Sequence, residues 1–266
     1  MEDLSRAYPI WLCDVWGVVH DGHKPIASAV SALEKHRARG GKIIFITNAP
    51  RPRETIQHHL DQIGVSHRAY DDMVTSGDVT RALMLQLGGN GLFHLGPPLD
   101  EPLFKGLAVK RVALAQAKAV VCTGLLDETR ETAKDYLLLL SEMKMRGLPM
   151  ICANPDKVVR KGNLLVPCAG AIAEEYEMMG GTVLMAGKPF APIYDAALIL
   201  AGEPDRAQVL AIGDGPETDI KGAMANDLAC VFVSGGINVS DSAEAEVRAK
   251  YPDANIVRSM AELYWG

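Results

Sequence analysis

The chain has 266 residues, of which 48% are hydrophobic and 23% are charged, a balance typical of soluble globular proteins and not of disordered ones. Its formal charge of −6 argues against a nucleic-acid-binding protein, because such proteins usually carry a basic surface. No apolar run approaches the roughly 18 residues of a membrane span, and the acidic start MEDLSR is unlike a signal peptide, so we expect neither.

Short apolar runs alternate with longer helical patterns, and Gly, Pro or Asn stands at most junctions, which indicates an α/β fold. Outside the middle of the chain, strands are predicted over 10–13, 42–47, 209–214 and 228–233. Helices are predicted from Pro25 to Gly40-Gly41, over 53–63 and over 218–226. The run 42–47 is apolar on both faces of a strand, as buried parallel strands are.

The middle of the chain repeats this pattern with strands predicted over 119–122 and 149–153 and helices over 131–146 and 171–179. Glycine-containing turns at Ser76-Gly77 and Gly180-Gly181 bracket this stretch. We therefore predict an inserted α/β domain over 77–181 and a parallel-sheet core formed by 1–76 and 182–266.

Polar residues follow three predicted core strands: Asp14, the pair Thr47-Asn48, and Asp214. Because ligands of parallel α/β sheets bind at the carboxyl ends of the strands, we expect these residues to converge. Carboxylate oxygens suit Mg²⁺, and a carboxylate can also attack phosphorus to form an aspartyl phosphate.

An aspartyl phosphate needs donors for the phosphoryl oxygens and a cation between the anions. The Thr47 hydroxyl, the backbone N–H groups of Asn48 and of the Gly17 loop, and the Lys188 ammonium group are the candidates.

The five cysteines lack the paired spacing of a zinc site or a disulfide framework. We expect buried thiols in a reducing compartment, which predicts a cytoplasmic protein. The five positions are Cys13, Cys122, Cys152, Cys168 and Cys230.

Four short motifs follow one another along the chain. They are Asp14-Val-Trp-Gly-Val18 with His20-Asp21-Gly22, then Ile46-Thr47-Asn48, then Gly187-Lys188-Pro189, then Gly213-Asp214-Gly-Pro-Glu-Thr218-Asp219-Ile220. In order, spacing and strand context they resemble the motifs of haloacid dehalogenase-like (HAD) hydrolases. Residues 74–77 and 153–156 resemble the core-to-cap junction and a cap signature of class IIA, the group with a large C2 cap. The resemblance implies a Rossmann-like parallel-sheet core with an inserted α/β C2-type cap.

The resemblance also implies Mg²⁺-dependent hydrolysis of a small phosphorylated metabolite, such as a sugar phosphate or a nucleotide, through an aspartyl phosphate. By this resemblance Asp14 is the nucleophile and a metal ligand, Asp214 and the Trp16 backbone carbonyl are further metal ligands, and Asp219 orients metal-bound water. Thr47, Asn48 and Lys188 bind the phosphate. The cap loop with Asn154 and Asp156, together with residues 160–170, selects the substrate.

Trp16 departs from the family pattern, because most phosphatases of this family carry an aspartate there as general acid and base. An indole cannot exchange protons near neutral pH, and losing such a group costs roughly 10²–10⁴-fold in rate. His20 and Asp21 are the nearest replacements in sequence, although Asp21-Gly22 also fits a tight turn.

Two alternatives to an efficient phosphatase remain open. Trp16 favours a protein that binds phosphate and Mg²⁺ with little turnover. A carbon–phosphorus hydrolase also needs no acid at this position, but relatives with that activity carry a small cap within the first motif region. The expected partner is a small phosphorylated substrate, with no nucleic acid and no membrane, and a homodimer is an option because C2-cap relatives often dimerise.

Overall fold

Two parallel β-sheets organise the chain. The computed structural model describes residues 1–161, 164–235 and 243–266, with the side chains of residues 160 and 161 excepted. The described chain divides into a first unit formed by 1–47, 56–74 and 188–266 and a second unit formed by 48–55 and 75–187.

The elements are numbered in chain order. The strands are β1 (Ile10–Cys13), β2 (Lys42–Thr47), β3 (Asp72–Thr75), β4 (Asn90–Leu95), β5 (Lys110–Arg111), β6 (Ala119–Cys122), β7 (Met150–Cys152), β8 (Val158–Lys161), β9 (Leu164–Pro167), β10 (Val183–Met185), β11 (Val209–Gly213), β12 (Ala229–Val233) and β13 (Ile256–Met260). The α-helices are α1 (Glu2–Ala7), α2 (Ala27–Ala38), α3 (Arg53–Ile63), α4 (Ser76–Gln86), α5 (Leu137–Met145), α6 (Ala169–Met178), α7 (Ala191–Ala201), α8 (Lys221–Ala225) and α9 (Ala243–Lys250).

The first unit is built on a six-stranded sheet in the order β13-β12-β11-β1-β2-β3. Strand β1 lies near its centre and pairs in parallel with β2 on one side and β11 on the other. Trp11, Phe45 and Val231, one each from β1, β2 and β12, are fully buried in the core of this unit. The parallel α/β core predicted from the sequence is confirmed.

The second unit has its own five-stranded sheet in the order β10-β7-β6-β4-β5, in which the neighbouring strands run parallel, and a separate antiparallel hairpin of β8 and β9. Its limits differ from the predicted 77–181 at both ends. Residues 182–187 belong to it because β10 pairs with β7, and residues 48–55 belong to it although they lie next to β2 in the chain.

The helix predicted over 131–146 is shorter in the structure. A 3₁₀ turn at Ala133–Tyr136 precedes α5, and Thr132 and Asp135 form a capping box at the start of that turn. The helix predicted over 218–226 begins as a π-helical turn at Pro216–Ile220 and continues as α8. Such local departures are common at functional positions, and this one carries Asp219.

All five cysteines are free thiols and are buried, which confirms the prediction made from their spacing. Among the helices of the described residues, none combines the length and the apolar character required to cross a membrane.

His36 on α2 is a fully buried ionisable side chain in the first unit. Its ring stacks on Trp11 at a centroid distance of 3.8 Å, and its two nitrogens lie 2.7 Å from the Ser5 hydroxyl and 3.2 Å from the Pro9 carbonyl oxygen. Burial lowers its pKa from 6.5 to about 4, against weaker opposing effects of the Pro9 carbonyl and Asp71. His36 is therefore neutral in the folded protein at neutral pH.

We expect acid to destabilise the protein through His36. The unfolded chain takes up a proton near pH 6.5 and the folded chain only near pH 4, so the stability from the neutral ring is complete above pH 6.5 and declines below it. At pH 5 the loss from this residue amounts to about 2 kcal/mol. Urea unfolding at pH 7.5 and at pH 5 measures how far the free energy of unfolding falls between the two pH values. This fall should be smaller for His36→Gln than for the wild type. Equal losses would contradict this assignment.

Candidate active site

Three of the predicted site residues lie at the carboxyl ends of neighbouring strands of the first unit. Asp14 comes after β1, Thr47 ends β2, and Asp214 comes after β11. The Asp14 N–H donates to the Ile212 carbonyl at 2.8 Å, which extends the pairing of β1 with β11 to the carboxylate-bearing residue. The carboxyl edge of the sheet therefore presents two carboxylates and one hydroxyl from adjacent strands.

A cluster of three buried carboxylates lies at this edge. Oxygen atoms of Asp14, Asp214 and Asp219 all lie within 4.8 Å of one another, and each residue is at most 6% exposed. Asp219 enters from the π-helical turn, where its Oδ2 accepts a hydrogen bond from the Gly215 N–H at 3.0 Å. The turn therefore holds the Asp219 carboxylate in the cluster, although Asp219 is five residues beyond Asp214 in the chain.

Lys188 connects two members of this cluster. Its Nζ lies 2.6 Å from Asp14 Oδ1 and 2.7 Å from Asp219 Oδ1, and the side chain is 3% exposed. Burial alone would lower the pKa of the lysine, but the two carboxylates outweigh burial and raise its pKa well above the usual value. Lys188 is therefore a permanently charged ammonium group inside the site.

The charges of the cluster leave an excess of negative charge. Three ionised carboxylates and one ammonium group carry a net charge of −2. Burial, together with the neighbouring Asp14, raises the pKa of Asp219 to about 6 despite the opposing effect of Lys188. A divalent cation would neutralise the excess, and all-oxygen ligands are those that hard cations prefer. The residues present therefore fit a hard divalent metal ion.

Two glycines allow the backbone to approach the carboxylates closely. Gly17 adopts a φ of +87°, and a Cβ atom there would overlap the Asp214 carboxylate. A Cβ atom on Gly213 would overlap the side chain of Asp219. Gly17 in the first motif and Gly213 in the fourth are therefore required for a steric reason, because a larger residue would collide with an aspartate of the cluster.

Trp16 packs on the turn that follows it. Its ring meets His20 edge to face at a centroid distance of 5.2 Å, and a Cβ atom on Gly22 would come within 2.6 Å of the indole. The backbone hydrogen bonds of this turn run from the Gly17 N–H to the His20 carbonyl and from the His20 N–H to the Val15 carbonyl. These bonds do not use the Trp16 carbonyl, the atom assigned to the metal by resemblance.

The two candidate replacement acids have structural partners in the same unit. His20 is buried, its Nδ1 accepts from the Gly22 N–H at 2.9 Å, and its ring lies edge to face with His59. Burial lowers its pKa to about 4. The exposed Asp21 accepts the N–H groups of His23 and Lys24, which lowers its pKa. The ionised carboxylate of Asp21 thus closes the turn, and His20 is a neutral imidazole.

The remaining predicted site residues lie in the second unit. Asn48 donates from Nδ2 to Asp156 Oδ1 at 2.9 Å, and Asn154 Oδ1 accepts the Asp156 N–H at 3.1 Å. The predicted phosphate-binding pair Thr47-Asn48 is thus divided between the units. Of the predicted substrate-selecting stretch 160–170, residues 162 and 163 lie outside the described residues.

Sequence reasoning missed the ion pairs of the segment 48–55. Arg51 Nε lies 2.8 Å from Asp100 Oδ1, and Arg53 Nε lies 3.2 Å from Asp78 Oδ2. Asp78 was detectable as part of the Thr75-x-x-Asp78 capping box at the start of α4. The pairing partners are 25 and 49 residues apart, so no local pattern indicates them.

Comparison with known proteins gives a consistent result. Residues 11–110 match a family model described as haloacid dehalogenase-like hydrolase, and residues 185–263 match one described as HAD-hydrolase-like. A solved hydrolase of the haloacid dehalogenase-like family from Brucella suis superposes with a TM-score of 0.89 and 42% identity, over 99% of this chain and 98% of that one.

Two further similarities are to enzymes of Mycobacterium tuberculosis. D-glycerol 3-phosphate phosphatase is 28% identical over 90% of this chain and 66% of its own length, so this chain spans about two thirds of that relative. A solved glycerol phosphate phosphatase in complex with calcium superposes with a TM-score of 0.67 and 26% identity, over 88% of this chain and 68% of that one.

Proposed function

The chain belongs to the class IIA group of the haloacid dehalogenase-like hydrolases, and we propose that it hydrolyses a small phosphomonoester with the help of a divalent metal ion, Mg²⁺. The phosphatases among its relatives support this reaction. They give no support to the alternatives of a slow phosphate-binding protein or a carbon–phosphorus hydrolase. Five free, buried thiols support a cytoplasmic location.

The observation that carries the proposal is the contact of Lys188 with Asp14 and Asp219 inside the buried acidic cluster. This arrangement brings three buried carboxylates and a fixed positive charge to one edge of the sheet, which supports a nucleophile and a metal site there. Phosphoryl transfer depends mainly on positioning and on electrostatic stabilisation of the phosphoryl oxygens, which such a set supplies.

In the proposed reaction an Asp14 carboxylate oxygen attacks phosphorus while the bond between phosphorus and the ester oxygen breaks, and the leaving oxyanion takes a proton from water. The Lys188 ammonium group and the Thr47 hydroxyl bind the phosphoryl oxygens, which bear the negative charge in the transition state. Water then attacks the aspartyl phosphate, releasing inorganic phosphate and regenerating Asp14. Asp14, Asp214 and the Trp16 carbonyl would hold the metal ion, and Asp219 would orient its waters. Bound there, the ion offsets the charge between phosphate and carboxylates.

Trp16 leads us to expect a dependence on the leaving group. Where a leaving alkoxide receives no proton from a positioned acid, its basicity limits the rate, and the missing acid is worth roughly 10²–10⁴-fold. With Mg²⁺ present, 4-nitrophenyl phosphate should therefore be hydrolysed much faster than glycerol phosphate, and phosphate release measures both rates.

The Trp16→Asp variant tests this dependence, and Trp16→Phe serves as a matched aromatic control. Trp16→Asp should narrow the difference between the two substrates, whereas Trp16→Phe should preserve it. Equal rates for both substrates in the wild type would contradict this account of Trp16. The absence of phosphate release from a broad panel of phosphomonoesters, in a folded protein with Mg²⁺, would refute the proposed function itself.

We expect Mg²⁺ to stabilise the folded protein and the effect to depend on Asp214. At a concentration 100 times the Kd, a ligand that binds only the folded state adds about 2.7 kcal/mol to the free energy of unfolding. Asp214→Asn keeps the shape of the side chain but removes an anionic ligand, so most of this gain should disappear. Thermal unfolding with Mg²⁺ and with EDTA measures the gain, and an unchanged gain in the variant would exclude Asp214 as a ligand.

A further inference from the structure

The segment 48–55 is held by acidic residues from three separate elements of the second unit. Asn48 donates to Asp156 in the loop after β7, and Arg51 and Arg53 each pair with one further carboxylate. These carboxylates belong to Asp100 in a 3₁₀ turn and to Asp78 in the first turn of α4. Three non-local contacts thus bind eight consecutive residues to this unit.

Packing of the backbone reinforces these contacts. The Gly77 N–H donates to the Ala49 carbonyl at 3.1 Å, and a Cβ atom on Gly77 would overlap the backbone of Arg51. Asp100 is 2% exposed, so its pairing with Arg51 balances a buried charge. The segment is therefore fixed along most of its length.

The amide of Asn48 is restrained on both sides. Nδ2 donates to Asp156, and a Cβ atom on Gly187 would overlap Oδ1, so the amide oxygen packs directly against that glycine. The whole residue is only 5% exposed. The side chain therefore has a single orientation, set on one side by a hydrogen bond and on the other by packing.

Asp156 is itself rigidly placed. Its N–H donates to Asn154 Oδ1, and its carbonyl accepts the Gly170 N–H at 3.1 Å at the start of α6. A Cβ atom on Gly170 would come within 2.6 Å of the Asp156 carbonyl oxygen. A carboxylate on so constrained a backbone is suited to orienting its hydrogen-bond partner.

We propose that Asp156 is a positioning residue that holds Asn48 for binding of the phosphate group, and that it does not select the rest of the substrate. Asn48 follows Thr47 directly, so a fixed Asn48 side chain also restrains the backbone N–H groups next to that hydroxyl. The inference rests on the proposed function, and the phosphate-binding role of Asn48 is the one that the resemblance to the family implies. It differs from the sequence-based expectation, in which Asn154 and Asp156 contact the substrate.

The two roles make different demands on the enzyme. Removing a positioning residue should lower kcat/KM for all phosphomonoesters by the same factor and weaken inhibition by inorganic phosphate, because every substrate shares the phosphate. Removing a residue that contacts the leaving group should alter the ranking of substrates and leave phosphate inhibition unchanged. Loss of an orienting partner costs roughly 10–100-fold.

The experiment compares Asp156→Ala with Asp156→Asn, Asn48→Ala and the double variant Asn48→Ala with Asp156→Ala. We expect Asp156→Ala to lower kcat/KM for 4-nitrophenyl phosphate and glycerol phosphate equally, by about 10–100-fold, and to weaken phosphate inhibition. Asp156→Asn keeps an acceptor for Asn48 and should retain most of the wild-type kcat/KM and most of the inhibition by phosphate. If Asp156 acts through Asn48, the double variant should match Asn48→Ala.

Hydrogen exchange provides a readout that needs no activity. Peptides covering residues 48–55 should exchange faster in Asp156→Ala than in the wild type, and Asp135→Asn, which alters an exposed capping carboxylate elsewhere in the same unit, should leave them unchanged. A changed substrate ranking with unchanged phosphate inhibition, or unchanged exchange in 48–55, would overturn the proposal. An inactive wild type with the expected exchange would instead refute the proposed function alone.

Discussion

Replacing Lys188 with methionine is expected to lower the free energy of unfolding by about 3–5 kcal/mol, because removing one partner from a buried ion pair leaves the opposite charges without compensation. Asp14 and Asp219 both lose their ammonium partner in this variant, and both are buried. Methionine matches the aliphatic length of lysine, so lost packing contributes little. Urea unfolding at pH 7.5 measures the change.

The control for this variant is Lys250→Met, which removes an ion pair with Glu217 in the same unit. Both partners there are about 60% exposed, and exposed pairs contribute less than about 1 kcal/mol. Similar losses of stability in the two variants would show that the charge of Lys188 is not what stabilises the cluster. Phosphate release should also cease in Lys188→Met, even under conditions in which the protein stays folded.

Asp14→Asn is expected to abolish phosphatase activity without loss of stability. Removal of a nucleophile lowers kcat by roughly 10⁴–10⁶-fold, since the residual rate comes from binding alone. The asparagine oxygen still accepts a hydrogen bond from Lys188, and the charge of the ionised cluster falls from −2 to −1. Less repulsion between buried carboxylates should maintain or raise the melting temperature measured in EDTA.

Phosphate release with 4-nitrophenyl phosphate and the melting temperature, measured on the same sample, separate the two effects. An inactive variant that has also lost stability would indicate a structural role for the Asp14 carboxylate. Activity within tenfold of the wild type would exclude Asp14 as the nucleophile.

The fold was predictable where hydrophobic patterns are local. The apolar runs at 10–13 and 42–47 and the helical pattern at 53–63 correspond to β1, β2 and α3. The limits of the second unit were not predictable in this way, because Gly180-Gly181 ends α6 while β10 follows inside the same unit. Turn residues identify the end of an element, whereas pairing with a strand 33 residues earlier decides the unit to which the next element belongs.

The site was predictable as a set of motifs but not as a set of contacts. Asp14 and Lys188 are 174 residues apart, and only the order of the motifs suggested that they meet. The partners of Asn48 and Arg51 depend on the packing of the second unit, for which the sequence carries no local signal. The burial of His20, which lowers its pKa to about 4, was likewise not indicated by any local pattern.

The assignment of residues 48–55 to the second unit determines how a cap could be exchanged between related enzymes. The transferable piece is discontinuous, since it comprises residues 75–187 and an eight-residue segment that precedes α3. A chimera that transplants 75–187 alone would separate Arg51 and Arg53 from the carboxylates that pair with them. The two pieces should therefore be inherited together, and recombination that divides them should yield proteins with unpaired, partly buried charges.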